Sequence, residues 1–155
     1  MSRPDRTVAR RDPATAAWFD ALRDGRLLLR ACRDGHVSRP DVLACDICGA
    51  TDLGWQAAGG QGVVVCLAVD HSTEPATQLA VVELAEGPWL LTRVEGAPVE
   101  RGAAVVVEIV HPVDGEPYPV VVPARSGSAG SGAQVDRLHR DVGVQALRPQ
   151  LATEA

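Results

Sequence analysis

The residues best suited to chemistry lie between positions 32 and 48. Cys45-Asp46-Ile47-Cys48-Gly49 is a C-x-x-C followed by glycine. This knuckle lets two thiolates grip one Zn²⁺ while backbone amides approach the sulfurs. Cys32 lies thirteen residues upstream, and its expected partner position holds Gly35 instead of cysteine. A complete pair of C-x-x-C motifs would read as a zinc ribbon; here three of the four cysteines are present. Two completions are open. His36 could supply the fourth ligand, giving a Cys₃His set of Cys32, His36, Cys45 and Cys48, or the knuckle holds no metal and rests on packing. A structural zinc contributes roughly 10–16 kcal/mol to folding in finger peptides, so a missing ligand would be felt. A redox cysteine pair is a third reading, weakened by the lack of a surrounding βαβ pattern.

No catalytic set assembles elsewhere. Cys66, mid-run in Val-Val-Val-Cys-Leu-Ala-Val, reads as a buried structural thiol and not as a ligand or nucleophile. His71 ends a strand, His111 precedes Pro112 in a turn and His139 lies near the C-terminus, all three at positions that suit exposed side chains. The Ser-rich stretch 126–132 has glycines at the wrong offsets for a nucleophile elbow. Gly59-Gly60-Gln61-Gly62 precedes a strand instead of opening a helix, so it reads as a flexible corner and not as a phosphate loop.

The segment carrying the cysteines, 32–55, is rich in Cys, Gly and Asp, is broken by Pro40 and shows no usable periodicity, so other elements must hold it. Upstream, Ala14 to Asp24 suits a helix. Trp18, Ala21 and Leu22 share one face, and Gly25 stands at its C-terminal end. Residues 26–31 form a short apolar strand candidate. Downstream, Val63–Val69, Leu79–Leu84, Trp89–Val94, Ala103–Val110 and Tyr118–Val122 are Val- and Leu-rich runs separated by turn-prone stretches. Five short strands at this spacing imply a small closed barrel, with the five-stranded OB architecture as the natural candidate. The expected fold is mainly β: an N-terminal helix, a zinc-ribbon-like (rubredoxin-type) module and an OB barrel.

Composition limits the functional classes. The chain has 155 residues, of which 46% are hydrophobic, yet only Trp18, Phe19, Trp55, Trp89 and Tyr118 are aromatic. The core must therefore be Val, Leu and Ala, which favours strands. All fifteen basic residues are Arg, and twenty acids bring the net charge to −5. An acidic chain with two aromatics in its strand runs is poorly equipped to bind single-stranded nucleic acid, which needs stacking platforms and a basic groove. No apolar run suits a membrane span, and the charged start Met1-Ser2-Arg3-Pro4-Asp5 is not a signal peptide, so a cytoplasmic location is expected.

The order of these features resembles a known family. The helix, Gly25-Arg26-Leu27-Leu28-Leu29, the cysteine ribbon, Gly49-Ala50-Thr51-Asp52-Leu53-Gly54-Trp55 and Gly60-Gln61-Gly62 are followed by a barrel. Val82 to Arg93 looks like a pair of central strands, and Gly102 through Val107 is similar to a G-x-x-V-x-V strand. Together, over about residues 14–123, they resemble the acyl-CoA-associated zinc-ribbon/OB-fold family. The resemblance implies a non-catalytic accessory subunit that forms a hetero-oligomer with a thiolase-like enzyme and helps shape the path of a CoA thioester. The partner would be of the aldolase, condensing or acyltransferase type. A stand-alone acyl-CoA-binding module is the alternative. Arginine pairs bidentately with phosphate, so Arg26, Arg30 and Arg93 are the candidate CoA contacts. Gly35, where the family has its second ribbon cysteine, is the main departure. The expected organisation is a flexible N-terminus over 1–13, a helix plus ribbon module over 14–58, a barrel over 59–123, and a Ser/Gly linker with a flexible tail over 124–155. Trp18, Phe19 and Leu27–Leu29 are expected to pack the helix on the ribbon or on a partner.

Overall fold

A computed structural model describes residues 11–125. The expectations placed on 1–10, the Ser/Gly stretch 126–132, His139 and the helical spacing at 134–148 lie outside the described residues. Among the described residues the chain is mainly β with one short helix.

Helix α1 spans Ala16–Arg23, two residues later than the apolar spacing predicts. Asp12 and Thr15 occupy the entry instead: the Thr15 N–H donates to Asp12 Oδ1 at 2.8 Å and the Asp12 N–H to Thr15 Oγ1 at 3.0 Å. This reciprocal pair holds the preceding turn. At the other end, Arg26 N–H donates to Ala21 O and Gly25 N–H to Leu22 O, a Schellman closure. Phe19, Ala21 and Leu22 form the buried face.

Three short strands follow: β1 (Leu28–Ala31), β2 (Val37–Ser38) and β3 (Gly54–Ala57). They make an antiparallel sheet in the order β2-β1-β3. In it Arg30 stands opposite both Ser38 and Trp55. The Trp18 indole N–H donates to Leu28 O at 3.1 Å, tying the helix to β1.

The remaining strands are β4 (Gln61–Asp70), β5 (Thr77–Leu84), β6 (Trp89–Val94), β7 (Ala104–Val110) and β8 (Tyr118–Pro123). They close a barrel in the order β4-β5-β6-β8-β7. Only the β6–β8 contact is parallel, and the whole is an OB barrel. The long strand β4 serves both seams, pairing with β5 along its length and with β7 through Gln61–Val63.

Two sequence expectations are corrected here. A bulge between Val64 and Cys66 breaks the two-residue alternation of β4. Val64 is buried and Leu67 packs against the core, so Cys66 turns outward and is exposed. The second correction concerns 59–62. Gly60 O accepts from Val107 N–H at 2.7 Å, Gln61 O accepts from Ala85 N–H at 2.9 Å, and Gly59 N–H donates to Glu86 Oε1 at 2.6 Å. The corner is pinned, not loose. At Gly62 a Cβ would collide with the Val82 side chain and come within 2.7 Å of Glu83 O, so glycine lets β4 press against β5.

One apolar cluster joins the elements. Phe19 and Leu22 of the helix and Leu27 and Leu29 of the β1 segment share it with Val64, Val82, Leu84 and Val121 of the barrel. The Leu27–Leu29 stripe thus reaches past the small sheet into the barrel core. Arg11 adds a polar clamp: Nε and Nη2 donate to the two Glu116 carboxylate oxygens at 2.7 and 2.9 Å, and Arg23 donates to the same carboxylate at 3.1 Å. Glu116 lies in the β7–β8 connection, so this clamp holds the helix against that end of the barrel. Among the described residues no helix is long and apolar enough to cross a membrane.

Candidate metal centre

Each donor of the cysteine cluster is positioned by a different local device. Cys32 directly follows β1. There the Gly35 N–H donates to Cys32 O at 3.1 Å, and the Cys32 N–H donates to His36 O at 3.0 Å. This tight loop returns the chain into β2 and brings His36 Nδ1 to 3.4 Å from Cys32 Sγ. The position that lacks cysteine is therefore part of the turn that delivers the histidine.

Cys45 and Cys48 sit on the knuckle. Gly49 N–H donates to Cys45 O at 2.9 Å, and Cys45 N–H to Ala50 O at 2.8 Å. Gly49 adopts φ of +73°, a conformation that side-chain-bearing residues disfavour, and it turns the chain back after the second thiol. Cys48 Sγ comes to 3.8 Å from Cys32 Sγ, and all four donor atoms lie within 4.8 Å of one another.

These distances fit a tetrahedral metal. Zinc–sulfur bonds near 2.3 Å and zinc–nitrogen bonds near 2.0–2.1 Å imply edges of about 3.8 Å between sulfurs and about 3.5 Å between sulfur and nitrogen. The observed 3.8 and 3.4 Å match both edges. Cys32 and Cys45 are buried, His36 is half-buried and Cys48 is exposed, so the cluster lies just under the surface with Cys48 as its outer member.

The electrostatics favour the same occupant. Backbone N–H groups of Cys48 and Ile47 point at the Cys45 sulfur and pull its pKa down to about 6. At Cys48 the Ala50 N–H also favours the thiolate. The neighbouring Cys45 and Cys32 thiols, together with partial burial, outweigh it and raise Cys48 above the ordinary 9.0. Three sulfurs packed this closely resist ionising together, and a divalent cation removes that conflict.

One supporting residue carried no signal in the sequence. Ser38 is buried, its Oγ accepts from the Asp46 N–H at 3.3 Å, and its hydroxyl lies 3.9 Å from Cys45 Sγ. It joins β2 to the knuckle. Because β2 has only two residues, no periodicity announces it.

The candidate arginines occupy three separate settings. Arg26 is exposed and pairs with Asp24 at 3.2 Å. Arg30 lies over Trp55, its guanidinium carbon 3.6 Å from the ring centroid, and its Nε is buried without a hydrogen-bond partner. Arg93, on β6, lines a cavity of about 970 Å³ together with Asp70, Thr73, Gln78 and Glu95. Cys66 is not part of the metal cluster. His71 and His111 are exposed.

No family model and no curated protein matches the chain. Two of the solved structures similar to this chain are informative. A chain of the "Ltp2-ChsH2(DUF35) aldolase" is 30% identical, with 76% of this chain and 98% of that chain covered at a TM-score of 0.63. A DUF35 protein of unknown function from Sulfolobus solfataricus is 17% identical, with 61% and 77% covered at a TM-score of 0.50, a likeness of fold alone. With 30% identity across nearly all of the first neighbour, and with helix, Cys/His cluster and closed barrel in one chain, the protein belongs to the DUF35 family.

Proposed function

We propose that this chain is a non-catalytic accessory subunit that binds and supports a thiolase-superfamily enzyme acting on acyl-CoA or related acyl thioesters. The observation that carries this reading is the 30% identity to a DUF35 chain of the Ltp2-ChsH2 aldolase, named for two components. In this reading Cys32, His36, Cys45 and Cys48 hold a structural Zn²⁺. When bound, the ion cross-links the end of β1, the turn into β2 and the knuckle. Those segments have few apolar side chains of their own to hold them.

Co-expression with thiolase-superfamily proteins of the same genome, followed by size-exclusion chromatography, tests the reading. One of them is expected to co-elute with this chain as a stoichiometric complex. Independent elution of every pair would overturn it. A second reading, a self-sufficient acyl-CoA-binding module, draws on the Arg30–Trp55 stack, where a desolvated guanidinium edge lacks a protein acceptor. It requires the isolated chain to bind CoA measurably, and to lose that affinity with Arg30→Ala. Arg26 and Arg93 are the further proposed phosphate contacts in this second reading.

A further inference from the structure

An antiparallel sheet with one face on the core and one in water alternates apolar and polar side chains. The outer face of β4, β5 and β6 does not. The strand register sets its outward positions in rows. Val63, Glu83 and Trp89 form the first row; Cys66, Val81 and Leu91 form the second. Ala68, Leu79 and Arg93 form the third. The inward neighbours Val64, Val82, Leu84 and Thr92 are buried, which confirms that these rows face out. Only Glu83 and Arg93 in the three rows are polar. Trp89 is 54% exposed, Leu91 66% and Val63 46%, so water meets a contiguous apolar surface. Such surfaces on soluble proteins mark interaction sites.

Shape and charge decide what covers it. The rows span about 10 Å across the strands and about 14 Å along them. A small closed barrel is convex outside, so two copies meeting face to face would bury little beyond this patch. A stable interface needs about 800 Å² from each partner. The occupant is therefore a larger protein that can wrap the convex face. Glu83 lies at one end of the patch and Arg93 at the other, and neither forms an ion pair among the described residues. A covering surface must offer a cation to Glu83, since burying that charge unpaired is costly, whereas Arg93 already has Asp70 nearby and an added anion would complete its pairing.

We propose that the outer face of β4–β5–β6, centred on Val81 and Leu91 and bounded by Glu83 and Arg93, is where this chain docks on its larger enzyme subunit. The matching surface of that subunit is apolar and concave, with a basic side chain opposite Glu83 and an acidic one opposite Arg93. This rests on the accessory-subunit reading and adds the location and chemistry of the interface. The knuckle and the Arg30–Trp55 stack lie elsewhere in the chain and are left free by it.

The test uses the full chain and the co-eluting thiolase-superfamily protein. Leu91→Glu is expected to weaken the complex about ten-fold or more, as for a central interface position, and Glu83→Arg to weaken it by setting like charges opposite each other at the rim. Val113→Glu, at a fully exposed site in the β7–β8 connection, is expected to leave affinity unchanged. Alkylation of wild-type Cys66 by N-ethylmaleimide, in the middle row, is expected to slow in the complex. This last readout decides the matter even if a charge at position 91 impairs folding. A complex that forms with wild-type affinity in both face variants, and in which Cys66 reacts as fast as in the free chain, would overturn the interface and leave the subunit reading standing. A free wild-type chain that dimerises, and becomes monomeric with Leu91→Glu, would assign the face to a second copy and likewise overturn the proposal. If no thiolase-superfamily protein binds the wild type, both readings fall together.

Discussion

The four cysteines differ in environment more than their even number suggests. Cys32, Cys45 and Cys48 converge with His36 on one point, whereas Cys66 faces water on the far side of a bulge. Thiol titration of the native protein should therefore count one fast-reacting cysteine when metal is bound, and four after chelation. Metal analysis should find one zinc per chain in the wild type and none in Cys45→Ser. Two or more fast thiols in metal-loaded protein would refute the Cys₃His assignment. The knuckle was legible in the sequence because its chemistry fixes a short spacing. His36 was legible only as one of several options, since no spacing rule places a histidine four residues after a cysteine. The misreading of Cys66 has a simple physical cause. Alternation assigns faces correctly until a bulge inserts one residue, and a run of consecutive valines hides where that happens.

At the scale of elements, local signals and distant ones fared differently. The helix stop at Gly25 and the run Trp89–Val94 follow from propensity and turn chemistry. The strands β2 and β3 escaped because two and four residues are too short to show a period, and β3 buries almost nothing. The clamp of Arg11 and Arg23 on Glu116 was invisible because it joins residues about a hundred positions apart. It nevertheless has a pH signature. Arg11's hydrogen bond leads the effects that hold the Glu116 carboxyl below its ordinary 4.5. The stabilisation is therefore complete above that ordinary value and lost as pH falls through the lowered one. Wild type and Glu116→Gln should differ in melting temperature at pH 7 and converge as the pH is taken well below 4.5. An equal gap at both pH values would show that the clamp contributes through packing and not through charge.

For the molecule as a whole, the sequence suggested a ribbon module and a barrel in series. The described residues of both share one apolar cluster in which Leu22 and Leu29 are almost fully buried beside Val82 and Val121. Removing side-chain volume at β1 should be felt in the barrel. Leu29→Ala is expected to cost about 2–5 kcal/mol, as a large-to-small change in a packed core, and to lower the stability of barrel and helix in a single cooperative transition. Denaturant unfolding followed both by far-ultraviolet circular dichroism and by amide exchange in β5 checks this. An unchanged exchange rate in β5 would mean that the small sheet unfolds on its own. Such long-range sharing is not written in local periodicity. Which apolar runs meet is decided by barrel closure, and closure depends on details such as the absent side chain at Gly62.

The scarcity of aromatic residues also has an optical consequence. Trp18 is held by its hydrogen bond to Leu28 O, Trp55 lies beneath the Arg30 guanidinium, and Trp89 stands half in water on the barrel exterior. Each indole therefore samples a different polarity, and intrinsic fluorescence separates the molecule into three regions without any label. The red-edge component belongs to Trp89, the indole most exposed to solvent relaxation. A spectral shift confined to that component would report an event on the barrel exterior while the helix and the small sheet stay unchanged.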